Sequence, residues 1–155
     1  MTTSTNHLPA WENKFEVPTL EDCLTPYLPP VRQLFDDARA KILTHEGISE
    51  EFGWRGLPWR WCLTYRLPTS QEHDFAYLVP NPEKPRLAMP FSEHELQSMP
   101  LHRFKKHLKD ALAHSVKTGR THWTTFEITS RPQLDDILDV VRRKHAILMR
   151  SETAS

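Results

Sequence analysis

Apolar and polar side chains alternate along the chain between residues 58 and 67. Large apolar side chains occupy every second position of this segment, namely Trp59, Trp61, Leu63 and Tyr65. A period of two places alternate side chains on opposite faces of a β-strand. The pattern therefore predicts a long strand over 58–67, with one face against a core and the other face exposed to solvent.

Four more segments have the composition of strands, over residues 51–54, 74–79, 86–91 and 121–129. A turn at Arg55-Gly56 separates the first of them from the long strand. Short links that are polar or contain proline join the middle strands, and such links favour an antiparallel meander over parallel crossovers. The chain is therefore predicted to contain an antiparallel sheet of about five strands.

Three segments carry apolar residues at helical spacing. One begins at Pro29-Pro30 and stops before Gly47, a second runs over 98–118, and a third runs over 130–150. Helices that are segregated from an antiparallel sheet cover one of its faces. We therefore expect an α+β fold in which an N-terminal, a middle and a C-terminal helix pack on one face of the sheet.

The chain has 155 residues, the usual size of one compact domain. We expect a flexible N-terminal tail over 1–16, a single α+β domain over 17–150 and a C-terminal tail over 151–155. The first residues lack the basic and apolar segments of a signal peptide, and no stretch approaches membrane-spanning length. A membrane partner is therefore not expected.

Charge and cysteine content restrict the possible partners. The 20 basic and 20 acidic residues give a formal charge of zero, so no overall field attracts nucleic acid, and a nucleic-acid partner is not expected. Cys23 and Cys62, without a secretory leader, are typical of reduced thiols. These features predict a cytoplasmic protein.

The aromatic cluster gives the candidate ligand-binding residues, which are Trp54, Trp59, Trp61 and Tyr65. Rings on one strand face can line an apolar pocket that holds a flat or cationic ligand. Aromatic residues on one sheet face are more often core residues, and this interpretation stays open beside the first. Trp54, next to the turn, is expected to be partly exposed.

Other chemistry has less support. The nine histidines form no His-Glu-x-x-His motif, and adjacent acidic residues such as Asp36-Asp37 diverge on a helix instead of converging on a cation. Cys62 has no base identified by any motif. We therefore expect no cofactor, no metal site and no catalytic residue.

The segment 98–123 is locally basic, with six Lys or Arg residues and one Asp. Such a surface can contact phosphate. The charges of Arg103, Lys105, Lys106 and Lys109 lie opposite an apolar stripe, and we expect them to be solvated.

Several local segments together resemble a known family. They are Glu51-Phe-Gly-Trp54-Arg-Gly-Leu-Pro-Trp59-Arg-Trp61, Phe75-Ala-Tyr-Leu-Val-Pro80, a strand with Phe91, Trp123-Thr-Thr-Phe-Glu-Ile128, and a helix with Leu134, Asp136 and Lys144. Over residues 17–148 the chain resembles the bacterial domain-of-unknown-function family 3788, which is similar to the YdhG-like family. The resemblance implies a fold without a reaction. Some YdhG-like proteins have been linked to frataxin-like iron handling, but no ligand residues transfer.

These observations favour a binding or accessory module without an assigned reaction. Its partner would be a small ligand or a protein that contacts the aromatic edge of the sheet. The alternative is a frataxin-like accessory protein that handles iron at a loose acidic surface.

Overall fold

The computed structural model of the protein describes residues 9–68 and 74–154, with side chains described as far as residue 150. These residues form an α+β fold with a six-stranded antiparallel sheet. Its strands are β1 (Ser49–Trp54), β2 (Trp61–Arg66), β3 (Ala76–Val79), β4 (Arg86–Phe91), β5 (Val116–Thr118) and β6 (Thr121–Glu127). The helices are α1 (Leu20–Leu24), α2 (Pro29–Ile42), α3 (Glu93–Ser98), α4 (Lys106–Ala113) and α5 (Arg131–Ala154), with short 3-10 helices at Ala10–Glu12 and Leu101–Arg103.

The strands lie in the order β1-β2-β3-β4-β6-β5, and each pairs antiparallel with its neighbours. The α+β class is therefore confirmed, with six strands where about five were predicted. The additional strand is β5, which forms a hairpin with β6 across Gly119. The φ of Gly119 is +63°, a left-handed conformation that glycine adopts without steric cost.

The single helix predicted over 98–118 is wrong. The segment instead contains the end of α3, a 3-10 turn, α4 and β5. Pro100 lacks the N–H that a continuous helix would need at this position. Ser92 and Glu95 form a capping box that starts α3 earlier than predicted. Of the apolar positions in the segment, Leu108 and Leu112 lie on α4, whereas Leu101 and Phe104 lie in the 3-10 turn and at its end.

The long strand predicted over 58–67 is also wrong at its start. The strand begins at Trp61, because Arg60 has a φ of +59° and leaves the extended conformation. The Arg55 N–H donates to the Arg60 carbonyl at 2.9 Å, which closes residues 55–60 into a loop. Trp59 therefore belongs to this loop and does not share the strand face of Trp61.

The main core lies between one face of the sheet and the helices. Leu63 and Tyr65 on β2 pack in the same cluster as the apolar stripes of α2 and α5. Those stripes are largely as predicted, and their buried members include Leu34, Phe35, Ala38, Ile42, Leu134, Ile137, Val141 and Leu148. We call this face of the sheet the inner face and the opposite one the outer face. None of the described helices is long and apolar enough to cross a membrane.

Two tryptophans attach the N-terminal segment to the sheet. The Trp11 indole N–H donates to the Trp59 carbonyl at 3.2 Å, and the Trp61 indole N–H donates to the Asn13 carbonyl at 2.8 Å. Trp11 is buried, whereas Phe15 is 88% exposed. Residues 1–8 of the predicted N-terminal tail, and Ser155 of the C-terminal tail, lie outside the described residues.

Candidate functional site

The structure places the four aromatic residues that the sequence grouped together in different surroundings, although Trp54 and Trp59 both pack on the cluster that contains Trp61. Trp61 and Tyr65 are buried, and the Tyr65 hydroxyl donates to the Glu50 carboxylate at 2.9 Å. Trp54 is half-buried and meets the edge of the Trp61 ring at 5.6 Å between centroids. Trp59 is half-buried and lies against other rings on the outer face. The prediction that Trp59 and Trp61 share a face is therefore wrong.

On the outer face three half-buried rings touch one another, and we call Trp59, Tyr77 and Trp123 the aromatic patch. The ring centroids are 6.0 Å apart for Trp59 and Tyr77, 5.5 Å for Trp59 and Trp123, and 5.4 Å for Tyr77 and Trp123. Such separations are typical of packed aromatic pairs. The patch combines the 55–60 loop with β3 and β6, which are far apart in the sequence.

Small side chains flank Tyr77 on the outer face. The antiparallel register puts Thr64 and Ala88 on either side of Tyr77, with Thr125 next to Ala88. Thr64 and Ala88 are fully buried, and Trp59 and Tyr77 pack on the cluster that contains Cys62 and Val79. The rings therefore cover the outer face with one surface and are partly accessible on the other.

Hydrogen bonding divides the five tryptophans into two groups. The indole N–H groups of Trp11 and Trp61 donate to backbone carbonyls, as described above. The indole N–H groups of Trp54, Trp59 and Trp123 have no acceptor in the part of the chain that the structure describes, and they are not buried. An indole N–H that is accessible and has no partner in the protein can donate to a ligand.

A chain of polar contacts borders the patch. The Arg55 Nε–H donates to the Thr64 hydroxyl at 2.6 Å, and its guanidinium pairs with Glu51 at 2.5 Å. Arg66 bridges Glu51 at 3.2 Å and Asp74 at 3.0 Å. Hydrogen bonds from these two arginines lower the pKa of Glu51, with the contribution of Arg55 the larger. Each positive charge of this border is thus balanced by a carboxylate.

The Tyr77 hydroxyl joins the same network by donating to Asp74 at 2.8 Å. Burial, with a further contribution from this hydrogen bond to a carboxylate, raises the pKa of Tyr77 above its ordinary value. The phenol is therefore a fixed neutral donor, and it does not serve as a base at neutral pH.

No protein-family model matches this chain, and no curated protein matches its sequence. The resemblance to the domain-of-unknown-function family therefore stays a prediction. The function has to be argued from the geometry alone.

A cleft of about 540 Å³ is lined in part by Leu57, Pro58 and Arg60 of the 55–60 loop. Its walls include Trp11, Arg60, Arg86 and two glutamates, Glu12 and Glu83. The Arg60 guanidinium lies over the Trp11 ring at 5.1 Å from the centroid. The cleft and the aromatic patch thus share a loop, but both signs of charge line the cleft.

The acidic pairs offer no metal centre. Among the described residues, no three His, Cys, Asp or Glu side chains come together in a way that could hold a metal ion. Asp36 pairs with Arg32, Asp37 pairs with Arg131, and Glu50 pairs with Arg39. Carboxylates that are neutralised by arginines are poor donors for a hard cation. The iron alternative thus gains no support from the arrangement of these side chains.

Neither cysteine is an activated nucleophile. Both thiols are free and buried, and burial raises the pKa of Cys23 and of Cys62 to about 12. The Arg55 guanidinium opposes the shift at Cys62 but is the smaller influence. A thiol with so high a pKa is almost entirely protonated at neutral pH and is therefore inert.

Lys144 is a buried base that sequence reasoning did not single out. Its Nζ donates to the Phe75 carbonyl at 2.7 Å and to the Pro90 carbonyl. The position follows Val141 by three residues and precedes Leu148 by four, so its place in the apolar stripe of α5 was a readable signal. Lys144 is fully buried and its amine is held by two backbone carbonyls, which is typical of a structural residue.

Proposed function

We propose that this protein is a binding module and that the aromatic patch is its ligand-contacting surface. The observation that carries the proposal is the pair of indole N–H groups at Trp59 and Trp123. Each belongs to a half-buried ring on the outer face and has no acceptor among the described residues. Core tryptophans of this chain use the same group to bind backbone carbonyls.

The geometry of the patch favours a particular class of ligand. The three rings are already in contact, so no slot remains between them, and a ligand lies on top of them. Val116 pairs with Trp123 across β5 and β6 and is 66% exposed, which extends the apolar surface. A flat, ring-bearing group with hydrogen-bond acceptors satisfies both the ring surfaces and the indole donors.

Charge balance refines this choice. Arg55 and Arg66 are compensated by Glu51 and Asp74, so the border of the patch has no excess of either sign. A neutral ligand therefore fits better than a polyanion or a polycation. The ring-bearing group is either a free small molecule or part of a partner protein.

No reaction is assigned, because the described side chains of the patch include no nucleophile with an adjoining base. A cytoplasmic location is part of the proposal. It is supported by two free, buried thiols, since reduced cysteines are usual in a reducing compartment.

The test is a titration with neutral heteroaromatic fragments, followed through the indole N–H signals in two-dimensional NMR spectra. Fragments that bind are expected to shift the signals of Trp59 and Trp123 in a saturable way. The signals of Trp11 and Trp61 are expected to stay in place, because their N–H groups are held by backbone carbonyls.

The variant Trp123→Ala is expected to abolish these shifts at Trp59. Trp54→Ala is the matched control, since Trp54 is also half-buried with an unused N–H, but its ring contacts Trp61 and none of the rings of the patch. The proposal fails if no fragment shifts Trp59 and Trp123, or if Trp54→Ala weakens binding as much as Trp123→Ala.

A further inference from the structure

A separate pocket of about 320 Å³ lies between the C-terminal part of α5 and the turn that follows α3. Arg142, Arg143 and Arg150 contribute to its wall, together with Ser98 at the end of α3 and Pro100 in the turn. Among the described residues of its lining there is no carboxylate, in contrast to the cleft beside Trp11. The pocket therefore concentrates positive charge in a concave space, although the chain as a whole is neutral.

A single carboxylate, that of Asp139, lies close to two of these arginines. The Arg142 guanidinium pairs with Asp139 at 2.5 Å, while the Arg143 Nε lies 3.9 Å from the same carboxylate, beyond hydrogen-bond distance. Asp139 thus forms a hydrogen-bonded pair with Arg142 and only a longer ion pair with Arg143. Because one carboxylate cannot neutralise two guanidiniums, a net positive charge remains beside the pocket.

The Arg143 Nε–H is also an unsatisfied donor. The atom is buried and has no hydrogen-bond acceptor among the described residues. Buried donors in native proteins almost always have a partner, and a missing partner is costly. The Arg143 side chain also lines the pocket, so a rotation of its guanidinium that exposes this N–H would let an anion in the pocket supply the acceptor. Arg142 and Arg143 lie well before the last turn of α5, so attraction to the helix dipole does not account for this donor.

We propose that this pocket binds the phosphate group of a small soluble phosphate ester. Guanidinium groups recognise phosphate through paired N–H donors, and a phosphate offers several oxygens to satisfy more than one arginine. The pocket has the volume of about ten water molecules in the liquid, which exceeds that of a bare phosphate ion. The organic part of the ester would lie against Pro100 and Ile147, which also line the pocket.

The test is a titration of the full chain with inorganic phosphate and with glycerol 3-phosphate, at low and at high sodium chloride. The Arg Nε–H signals in NMR spectra and the heat of binding are the two readouts. We expect saturable binding that moves the Arg143 signal, is tighter for the ester than for phosphate, and weakens several-fold in high salt.

Arg143→Gln and Arg142→Gln are each expected to weaken binding at least tenfold. Arg142 is the second variant because its side chain is 55% exposed, so that its replacement leaves the fold intact. Arg103→Gln is the matched control, since this exposed arginine lies in the basic segment and outside the pocket. The control is expected to bind like the wild type.

Three results would overturn the proposal. One is the absence of saturable binding at millimolar ester, and another is an equal loss in Arg103→Gln and Arg143→Gln. The third is binding only to vesicles that contain phosphatidic acid, because a lipid surface would then be the source of the phosphate. None of these outcomes depends on the aromatic patch.

Discussion

The buried amine of Lys144 should make the stability of this protein rise with pH. Its Nζ lies 5.0 Å from the ring centroids of both Phe75 and Phe91 and donates to two backbone carbonyls. Burial lowers the pKa of Lys144 to about 7, and the Glu95 carboxylate opposes this shift as the smaller influence. In the unfolded chain a lysine has a pKa of about 10.4.

The sign of the effect follows from proton binding. Above pH 7 the folded state releases the proton of Lys144, whereas the unfolded state keeps it until about pH 10, so unfolding takes up a proton. The free energy of unfolding therefore increases with pH over this range, with a limiting slope of about 1.4 kcal/mol per pH unit. Because the folded group is half-protonated near pH 7, the expected gain from pH 7 to pH 9 is about 2 kcal/mol.

The assay is urea unfolding of the wild type and of Lys144→Met at pH 7, 8 and 9. Methionine keeps most of the side-chain volume and removes the titrating amine. The other titrating groups contribute about equally to both proteins, so their contributions cancel in the difference between the two unfolding free energies. From pH 7 to pH 9 this difference should move by about 2 kcal/mol in favour of the wild type. A difference that stays constant from pH 7 to pH 9 would refute the reasoning. It would mean that the carbonyls, the rings and Glu95 keep Lys144 charged.

Three further outcomes are expected. Trp61→Ala should lower the free energy of unfolding by about 3 to 5 kcal/mol, because Trp61 is buried. Trp123→Ala should lower it by less than half as much, because Trp123 is half-buried, and the reverse order would place Trp123 in the core instead. Cys23 and Cys62 should resist a thiol reagent at pH 8 and react fully in urea, since burial raises both pKa values to about 12; rapid labelling of the native protein would contradict their burial. In calorimetry, ferrous iron at millimolar concentration should give no saturable heat of binding. Saturable binding that becomes weaker when the acidic pairs are changed to amides would support the iron alternative.

The sequence was sufficient for elements that a long periodic pattern defines. The apolar stripes of α2 and α5 extend over several turns, so isolated exceptions did not disturb the assignment. The start of β2 was not readable in this way. It depends on the left-handed conformation of Arg60, a residue type that gives no local signal for a positive φ.

The aromatic patch could not be predicted from sequence for a different reason. Tyr77 and Trp123 come together because β3 pairs with β4 and β4 pairs with β6, although α3, α4 and β5 separate the last two strands in the sequence. The hydrophobic pattern predicts the strands but gives no register between them, and the register decides which side chains meet. The sequence identified Trp59 as a candidate but assigned it to the wrong partners.

In the rings of the patch, different atoms contribute to the fold and to the proposed function. The outer face carries small residues such as Thr64 and Ala88, and the main core on the inner face contains neither of them. Large side chains have to cover these positions, so a half-buried ring at Trp123 has a structural use even without a ligand. Its indole N–H, in contrast, has no structural use in the described chain. Phenylalanine in place of Trp123 would keep most of the covering ring and remove the donor. A loss of fragment binding with little loss of stability in that variant would therefore assign the donor to function and the ring to the fold.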